Sequence, residues 1–412
     1  MSTTGSVSSQ LAPALWSPLR YKSYRLLWCG ESISVLGSQF NLVALPWLIL
    51  QISGSGLRLG EVMMVAAIPR ALLMLVGGTV SDLVSPRLAM LFSNLARAAI
   101  VAGLAALIWF HAVRIEPVLI LVFCIGVADA FFYPAYMAMV PRLVEPAYFA
   151  PANSLLVTSS QVMILIGPAV AGTLIATAGL APAFAVDSAS FIIAAVALVW
   201  INAQKSAAPA AARPSVLSST REGVQYAWND GLIYGIILIT AMVNLAFTGP
   251  YSLGTALLAA KMFHSATSLG IMLSASGAGA ILGSVCAGLW RPSARRGMAI
   301  LTFPFVVGLG LIGMAFVEHV VWAAAIRAVI GVMNGFMTVF VTSILQTRVE
   351  RSMMGRVMGI ITLAMFGLLP FSFLMGGLLS NLGVTTLFLT SGGLLLVTGI
   401  LSSSIRQLRS FN

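Results

Sequence analysis

Long apolar segments follow one another along this 412-residue chain, and each is long enough to cross a lipid bilayer as a helix. Only 8% of the residues are charged and 59% are hydrophobic, too few charges for a water-compatible surface. The short alternating segments of a membrane β-barrel are not evident in the sequence. The chain is therefore predicted to be an all-α, polytopic membrane protein. Twelve spans are predicted, over residues 25–51, 58–81, 88–110, 117–140, 152–178, 182–203, 231–258, 266–289, 298–317, 320–346, 355–380 and 384–404.

The basic residues indicate how these spans are oriented. Most of the 22 lysines and arginines fall at the two termini and in every second loop, whereas Arg58, Arg114 and Lys261 lie in the opposite loops. Loops rich in Lys and Arg stay in the cytoplasm, so both termini are predicted to be cytoplasmic, as an even number of spans requires. Because the basic residues are spread over separate segments, the net charge of +11 does not predict nucleic-acid binding.

A polar stretch in the middle of the chain divides the spans into two sets of six. Ser219 and Glu222 have capping-box spacing in that stretch, which predicts a short interfacial helix. Aligning Gly78 with Gly283 also aligns Asp129 with Asn334, which indicates a repeat in which one half carries an acid and the other a neutral polar group. The predicted parts are a cytoplasmic segment (1–24), a six-helix bundle (25–203), a linker with the interfacial helix (204–230), a second six-helix bundle (231–404) and a cytoplasmic tail (405–412).

Charged residues deep inside the spans are the main candidates for function. Counted from the span ends at 1.5 Å per residue, Arg70, Arg97 and Asp129 each lie about 15–20 Å deep, near the middle of the hydrocarbon core. With Asn334 of the second half they form the predicted central polar site. Asp129 is either a titratable carboxylate that couples proton binding to transport or a permanently ionised partner of one arginine, and the sequence gives both readings about equal weight.

Three further charged residues are weaker candidates. Glu31 lies about 9 Å into span 1, close enough to the inner surface to reach it or to form a pair. Asp187 is predicted in the first turns of span 6, where an acid suits the helix dipole. Arg327 either meets an anionic group of a substrate or, as is more common, reaches the interface or a backbone carbonyl.

Two motifs carry a family resemblance. Residues 77–87, Gly-Gly-Thr-Val-Ser-Asp-Leu-Val-Ser-Pro-Arg, resemble the loop signature between the second and third helices of the major facilitator superfamily, although Leu83 and Ser85 replace the usual Arg and Gly. In span 5, Gly167-Pro168 followed by Gly172 predicts a bend with close helix packing, and it resembles the fifth-helix motif of the superfamily's exporters.

The loop 346–357 is similar to that of the bacterial branch that includes enterobactin and macrolide exporters. The resemblance implies twelve helices, transport by alternating access and an inner gate. The residues matched to this gate are Gly78, Asp82, Arg87, Gly355 and Arg356.

These observations favour a proton-coupled exporter of small amphipathic or hydrophobic compounds, a monomer in the bilayer of a bacterial cytoplasmic membrane. The sequence has no phosphate-binding loop of an ATP-driven pump, and its three histidines lack metal-ligand spacing, so no enzymatic activity, cofactor or metal is predicted. A siderophore or lysophospholipid carrier of the same fold remains an alternative, as does a membrane sensor or scaffold that no longer transports.

Overall fold

The computed structural model describes residues 14–83, 85–201, 216–289, 296–350 and 353–404, with the side chains of 74–83, 216–221, 223, 296 and 355 left out of the description. Helices form almost all of this described part. They are α1 (Lys22–Ser53), α2 (Gly56–Leu83), α3 (Pro86–Trp109), α4 (Ile115–Met137), α5 (Phe149–Ala178), α6 (Leu180–Val199), α7 (Val216–Asn229), α8 (Gly231–Val243), α9 (Gly249–Lys261), α10 (Ala266–Leu289), α11 (Arg296–Met314), α12 (Val320–Arg348), α13 (Met354–Phe366), α14 (Leu369–Ser380) and α15 (Val384–Ser403).

Each predicted span coincides with one helix or with two consecutive helices. Span 7 consists of α8 and α9 joined by a π-helical turn, Asn244–Thr248, and span 11 consists of α13 and α14. Eleven helical stretches of the described residues are long and apolar enough to cross a membrane. The helix outside that set, α2, has 28 residues and is about 42 Å long at 1.5 Å per residue, which also exceeds the hydrocarbon thickness. The protein is therefore a multi-pass membrane protein with room for twelve spans.

The helices pack into two bundles, as the sequence predicts. In the first half α4 packs on α2 and α3, while α6 packs on α1 and α3. In the second half α12 packs on α10 and α11, α15 packs on α11, and α14 packs on α9. The halves meet mainly through two helix pairs, α5 with α10 and α2 with α14.

The contacts between the halves are concentrated at one membrane face, which we call the closed face; it carries the loops at Gly54 and Gly179. A Cβ atom on Gly60 of α2 would lie 2.7 Å from the Cα atom of Gly377 in α14. In the other pair, Thr267 of α10 donates a hydrogen bond to the Gly172 carbonyl at 3.4 Å. Glycines allow two backbones to approach this closely. The two halves are therefore in direct backbone contact at the closed face.

In the second half, one serine joins the two interrupted spans. The Ser372 hydroxyl accepts a hydrogen bond from the Gly249 N–H at 2.7 Å and donates one to the Leu245 carbonyl at 2.8 Å. Unpaired backbone groups are costly inside a membrane, so a side chain that satisfies one donor and one acceptor stabilises the π-helical turn. The helices α9 and α14 are thereby held together.

The helix α7, which corresponds to the predicted interfacial helix, begins earlier than the capping-box spacing predicts. Ser219 lies inside the helix that starts at Val216, so the predicted N-cap at Ser219 is wrong. Val224 and Trp228 are exposed, and the Trp228 ring lies 4.9 Å from that of Tyr234. The described part of α7 packs on α8 and α13, so this helix is attached to the second half.

Candidate functional site

A cavity of about 430 Å³ lies inside the first half and contains most of the predicted central site. Arg97 of α3 forms an ion pair with the Asp129 carboxylate of α4, and Nη1 of Arg70, on α2, lies 4.0 Å from Oδ2 of Asp129. Arg97 is buried, with 9% of its side chain exposed, whereas Asp129 is 27% exposed to the cavity. Removing an ion pair from water strengthens the attraction between its partners and makes either partner costly to lose.

Aromatic rings cover both arginines. The Arg97 guanidinium carbon lies 4.0 Å from the ring centroid of Phe132 and 5.4 Å from that of Phe191. Arg70 lies 5.0 Å from the ring of Phe366, at the end of α13, so it reaches the second half. A guanidinium over an aromatic face gains cation–π attraction, which helps to hold each charge away from bulk water. Sequence reasoning missed these rings because aromatic residues are common throughout the spans.

Asp187 lies in the same cavity, in contact with a partner that the sequence analysis did not identify. Its Oδ2 atom accepts a hydrogen bond from Nδ2 of Asn41, on α1, at 3.1 Å, and its side chain is fully buried. The helix α6 begins at Leu180, so Asp187 lies two turns inside it. The helix dipole contributes little to Asp187, because its effect falls off within the first turn.

Glu31 of α1 is also buried in the first half, with an exposed fraction of 6%. It does not extend to the membrane surface, as the sequence analysis allowed, but lies within electrostatic range of Arg97. Two acids besides Asp129 are therefore buried around the same arginine.

The second half has a pocket of a different character, with a volume of about 270 Å³. None of its described lining residues is ionisable. Asn334 lies here and not beside Asp129, so the structure separates it from the predicted central site. Its Nδ2 atom donates to the Ile330 carbonyl at 3.0 Å, which leaves Oδ1 as an acceptor. The other lining residues are apolar, aromatic, methionine or neutral polar; the polar ones are Thr240, Asn244, Thr248, Thr338 and Thr342.

Arg327 is buried between three helices of the second half. It donates hydrogen bonds to the Met272 carbonyl at 3.0 Å, to the Ser276 hydroxyl at 2.9 Å and to the Thr255 hydroxyl. Its guanidinium carbon lies 3.8 Å from the Tyr251 ring centroid. The sequence allowed Arg327 to meet a substrate anion, to reach the interface or to bind a backbone carbonyl, and in the structure it binds a carbonyl. No carboxylate of the described residues pairs with it.

The glycine–proline motif of α5 lies where this helix packs against its neighbours. A Cβ atom on Gly167 would lie 2.5 Å from the Gln39 side chain of α1, and one on Gly172 would lie 2.6 Å from the Ala266 carbonyl of α10. The helix continues through Pro168. The motif therefore lets α5 pack closely against its own half on one side and against the other half at the closed face.

The predicted gate residues do not contact one another in the part of the chain that the structure describes. Arg87 donates hydrogen bonds to the carbonyls of Leu198 and Val199, at the C-terminal end of α6. This placement adds side-chain donors at the end of a helix, where carbonyls run out of intrahelical partners. Gly78 and Asp82 belong to α2, in the segment whose side chains are outside the described residues.

Arg356, the gate candidate of the second half, forms an ion pair with Glu222 of α7, with 2.9 Å between Nη1 and Oε2. Gly355, at the start of α13, has only its backbone described. Arg87 and Arg356 thus each bind within their own half.

Two helical bundles that meet at one face, with a cavity in each half, define the class of polytopic membrane transporters. The chain belongs to the major facilitator superfamily, since the model of the family described as transmembrane secretion effector matches residues 13–412.

Curated relatives and solved structures agree with this assignment. The multidrug efflux pump Tap of Mycolicibacterium fortuitum is 26% identical over 389 residues, covering 91% of this chain and 94% of the relative. The enterobactin exporter EntS of Shigella boydii is 25% identical over 348 residues, covering 83% and 81%. The nucleoside transporter NupG has the same fold, with a TM-score of 0.71 at 14% identity over 93% of this chain and 98% of that one. A bacterial homologue of the lysosomal transporter Spinster, in an inward-facing and unoccupied conformation, has a TM-score of 0.70 at 11% identity over 94% and 96%.

Proposed function

We propose that this transporter is a proton-coupled exporter of small amphipathic or hydrophobic compounds in the bacterial cytoplasmic membrane. The observation that carries the proposal is the division between the halves. The first half buries an ion pair and further acids around a cavity, whereas the second half has a neutral pocket. The names of the relatives support export, because Tap is described as a multidrug efflux pump and EntS as an enterobactin exporter.

The substrate class follows from the lining of the second-half pocket. Met337, Met358 and Met365 line it beside Phe247 and Phe303. Methionine side chains are flexible and polarizable, so they repack around apolar ligands of different shape. The Asn and Thr oxygens supply hydrogen-bond acceptors for a ligand that has one polar end. Such a pocket suits amphipathic compounds better than a multiply charged anion.

The transport cycle is alternating access between the two bundles, residues 25–203 and 231–404. The closed face carries the loops that are poor in lysine and arginine, so the positive-inside rule makes it the outer face. The structure then corresponds to an inward-facing state with both termini in the cytoplasm. Proton coupling is assigned to the ion-paired site of the first half, with Asp129, Arg97 and Arg70, and the working unit is a monomer.

The test is accumulation of ethidium, a fluorescent amphipathic cation, in bacterial cells that express the protein or lack it. We expect expression to lower steady-state ethidium, and an uncoupler to abolish that difference. Export that persists with the gradient collapsed would contradict proton coupling. If neither ethidium nor any compound of a broad toxicity panel responds to expression, the sensor or scaffold reading is favoured instead.

An exported siderophore is the second candidate, favoured by the similarity to EntS. The same strains distinguish it from drug export. Iron-starved cells that lack the protein would retain their siderophore, while their ethidium accumulation would equal that of the parent strain.

A further inference from the structure

The interior of the first half holds more acids than arginines. Among the described residues, three carboxylates are buried or line the cavity there, those of Glu31, Asp129 and Asp187. Two guanidinium groups accompany them, those of Arg70 and Arg97. If all five groups were ionised, one negative charge would be left over at a depth where an uncompensated charge is costly. One of the acids must then hold a proton or bind another cation.

The geometry indicates which acid lacks a cationic partner. Both arginines lie beside Asp129: Arg97 forms an ion pair with it, and Nη1 of Arg70 lies 4.0 Å from its Oδ2 atom. The hydrogen bond that Asp187 receives comes from the neutral amide of Asn41. Its second oxygen, Oδ1, has no hydrogen-bond partner in the described part of the chain. Asp187 is fully buried, so in its ionised form it would be the least compensated acid of the cavity.

We propose that Asp187 is the proton-binding residue in this conformation, and that Asp129 is the ionised partner of Arg97. This inference rests on the proposed proton coupling and assigns the proton to a different carboxyl. Asp187 is preferred over Glu31 because it lines the cavity, whereas Glu31 is not among the lining residues. The charged and titratable groups that share the cavity with Asp187 are Arg70 of α2, Arg97 of α3, and Asp129 and Tyr133 of α4. On α1 the neutral Asn41 faces Asp187, and Glu31 lies ten residues before Asn41 in that helix.

The proposal also gives a step that releases the proton. Arg97 lines the same cavity as Asp187 and is in contact with Asp129. If Arg97 moves from Asp129 towards Asp187, the O–H bond of Asp187 breaks and its proton passes to water in the cavity. Asp129, left without Arg97, then keeps Arg70 as its counterion or takes up a proton. The charge of the cavity is conserved apart from the protons exchanged with water.

Infrared pH-difference spectra of the purified protein in lipid nanodiscs test the proposal without any substrate. A protonated carboxyl gives a C=O stretching band that a carboxylate lacks. We expect this band in the wild type at neutral pH and its loss in Asp187→Asn. The matched control is Ser190→Ala, one turn further along α6. The Ser190 hydroxyl donates to the backbone carbonyl of Asp187 and not to its carboxyl group, so we expect this variant to keep the band.

An unchanged band in Asp187→Asn, or a band lost in Glu31→Gln while Asp187→Asn keeps it, would overturn the proposal. Asparagine is nearly isosteric with protonated aspartic acid, so the variant should keep the thermal midpoint of the wild type. If Asp187→Asn loses the infrared band and also has a lowered thermal midpoint, the loss could reflect misfolding. Asp187→Glu then decides, because it restores the band only if this position holds a proton.

A transport measurement separates this inference from the proposed function. In proteoliposomes, Asp187→Asn should still equilibrate ethidium down its own gradient but lose accumulation driven by a pH gradient. If ethidium accumulation by the wild type does not depend on the pH gradient while the infrared band depends on Asp187, the proton site is supported and the proposed coupling is wrong. If the wild type is coupled and Asp187→Asn accumulates ethidium as well as the wild type, the coupling stands and the role of Asp187 fails.

Discussion

Each half of this transporter buries an arginine, and the two arginines are neutralised in different ways. Arg97 pairs with a carboxylate beside a cavity, in the company of two further acids. Arg327 is held by neutral oxygens and an aromatic ring, and the described spans of the second half contain no Asp or Glu. An ion pair can be exchanged or titrated, whereas hydrogen bonds from a permanently charged arginine to neutral groups stay the same over the physiological pH range. This difference supports the proposal that ion coupling belongs to the first half, while the charge of Arg327 in the second half is held constant.

The helices of the two halves also differ, in whether each span is continuous or interrupted. The described spans of the first half are continuous, whereas spans 7 and 11 of the second half are interrupted. The π-helical turn lies beside the neutral pocket, and Asn244 and Thr248 of that turn line it. Interruptions of this kind are frequent at functional sites because they turn side chains and backbone groups towards a ligand. The half whose described spans contain no Asp or Glu is therefore the one with interrupted helices.

The largest effect is expected for Asp129→Asn, because it leaves Arg97 buried without its ion-pair partner. Breaking a buried pair in this way costs on the order of 3 kcal/mol of folding free energy. We expect a lower thermal midpoint in detergent and loss of uncoupler-sensitive ethidium efflux. The thermal midpoint is measured on the purified variant, and the efflux is measured in cells.

The matched variant is Asn334→Asp, at the aligned position of the second half. Asn334→Asp places an acid in a pocket where the described lining offers no arginine. The double variant, Asp129→Asn with Asn334→Asp, should therefore not regain coupled efflux. Recovery of coupled efflux in the double variant would mean that the halves are interchangeable, contrary to the comparison.

A smaller effect is expected for Gly60→Ala at the closed face. The added methyl would lie 2.7 Å from both the Gly377 Cα atom and the Phe373 carbonyl oxygen, so α2 and α14 must separate. Overpacking of this kind costs about 1–3 kcal/mol, which shifts the protein towards the state that is open at this face. The measurement is the rate at which an impermeant maleimide labels Leu257→Cys, a buried site near Gly56, in a background without the native cysteines.

The control for this shift is Gly393→Ala, where an added Cβ meets nothing within 4 Å. We expect labelling several-fold faster than wild type in Gly60→Ala and unchanged in Gly393→Ala. Equal labelling of both would show that the glycine contact does not hold this face closed.

The smallest effect is expected for Arg356→Ala. Its partner Glu222 has half of its side chain exposed, and ion pairs at such surfaces contribute about 0–1 kcal/mol. We expect a thermal midpoint close to wild type, as for Arg348→Ala, which removes a similar pair with Asp230. A many-fold loss of efflux in Arg356→Ala alone, at normal stability, would instead establish the gate role that the family resemblance implies.

Sequence reasoning reached the charged site by counting helix rise, because Arg70, Arg97 and Asp129 must lie at similar depths if their spans are helical. It could not place Asn41 against Asp187, since the rotation of α1 relative to α6 depends on side-chain packing. It could not separate Asn334 from Asp129 either, because a repeat in sequence gives equivalent positions and not proximity. The π-helical turn had one signal, the Gly249-Pro250 pair directly after it, whose proline has no N–H to donate.

The sequence by itself determined the spans, their number and the polar division between the two halves. These follow from a local requirement, since a backbone in lipid must satisfy its own hydrogen bonds and does so as apolar helices. The tertiary structure decided which acid receives Arg97, which acid is left with a neutral partner, and which face is closed. Those outcomes depend on how whole helices rotate and pack against one another, and no local pattern of residues specifies them.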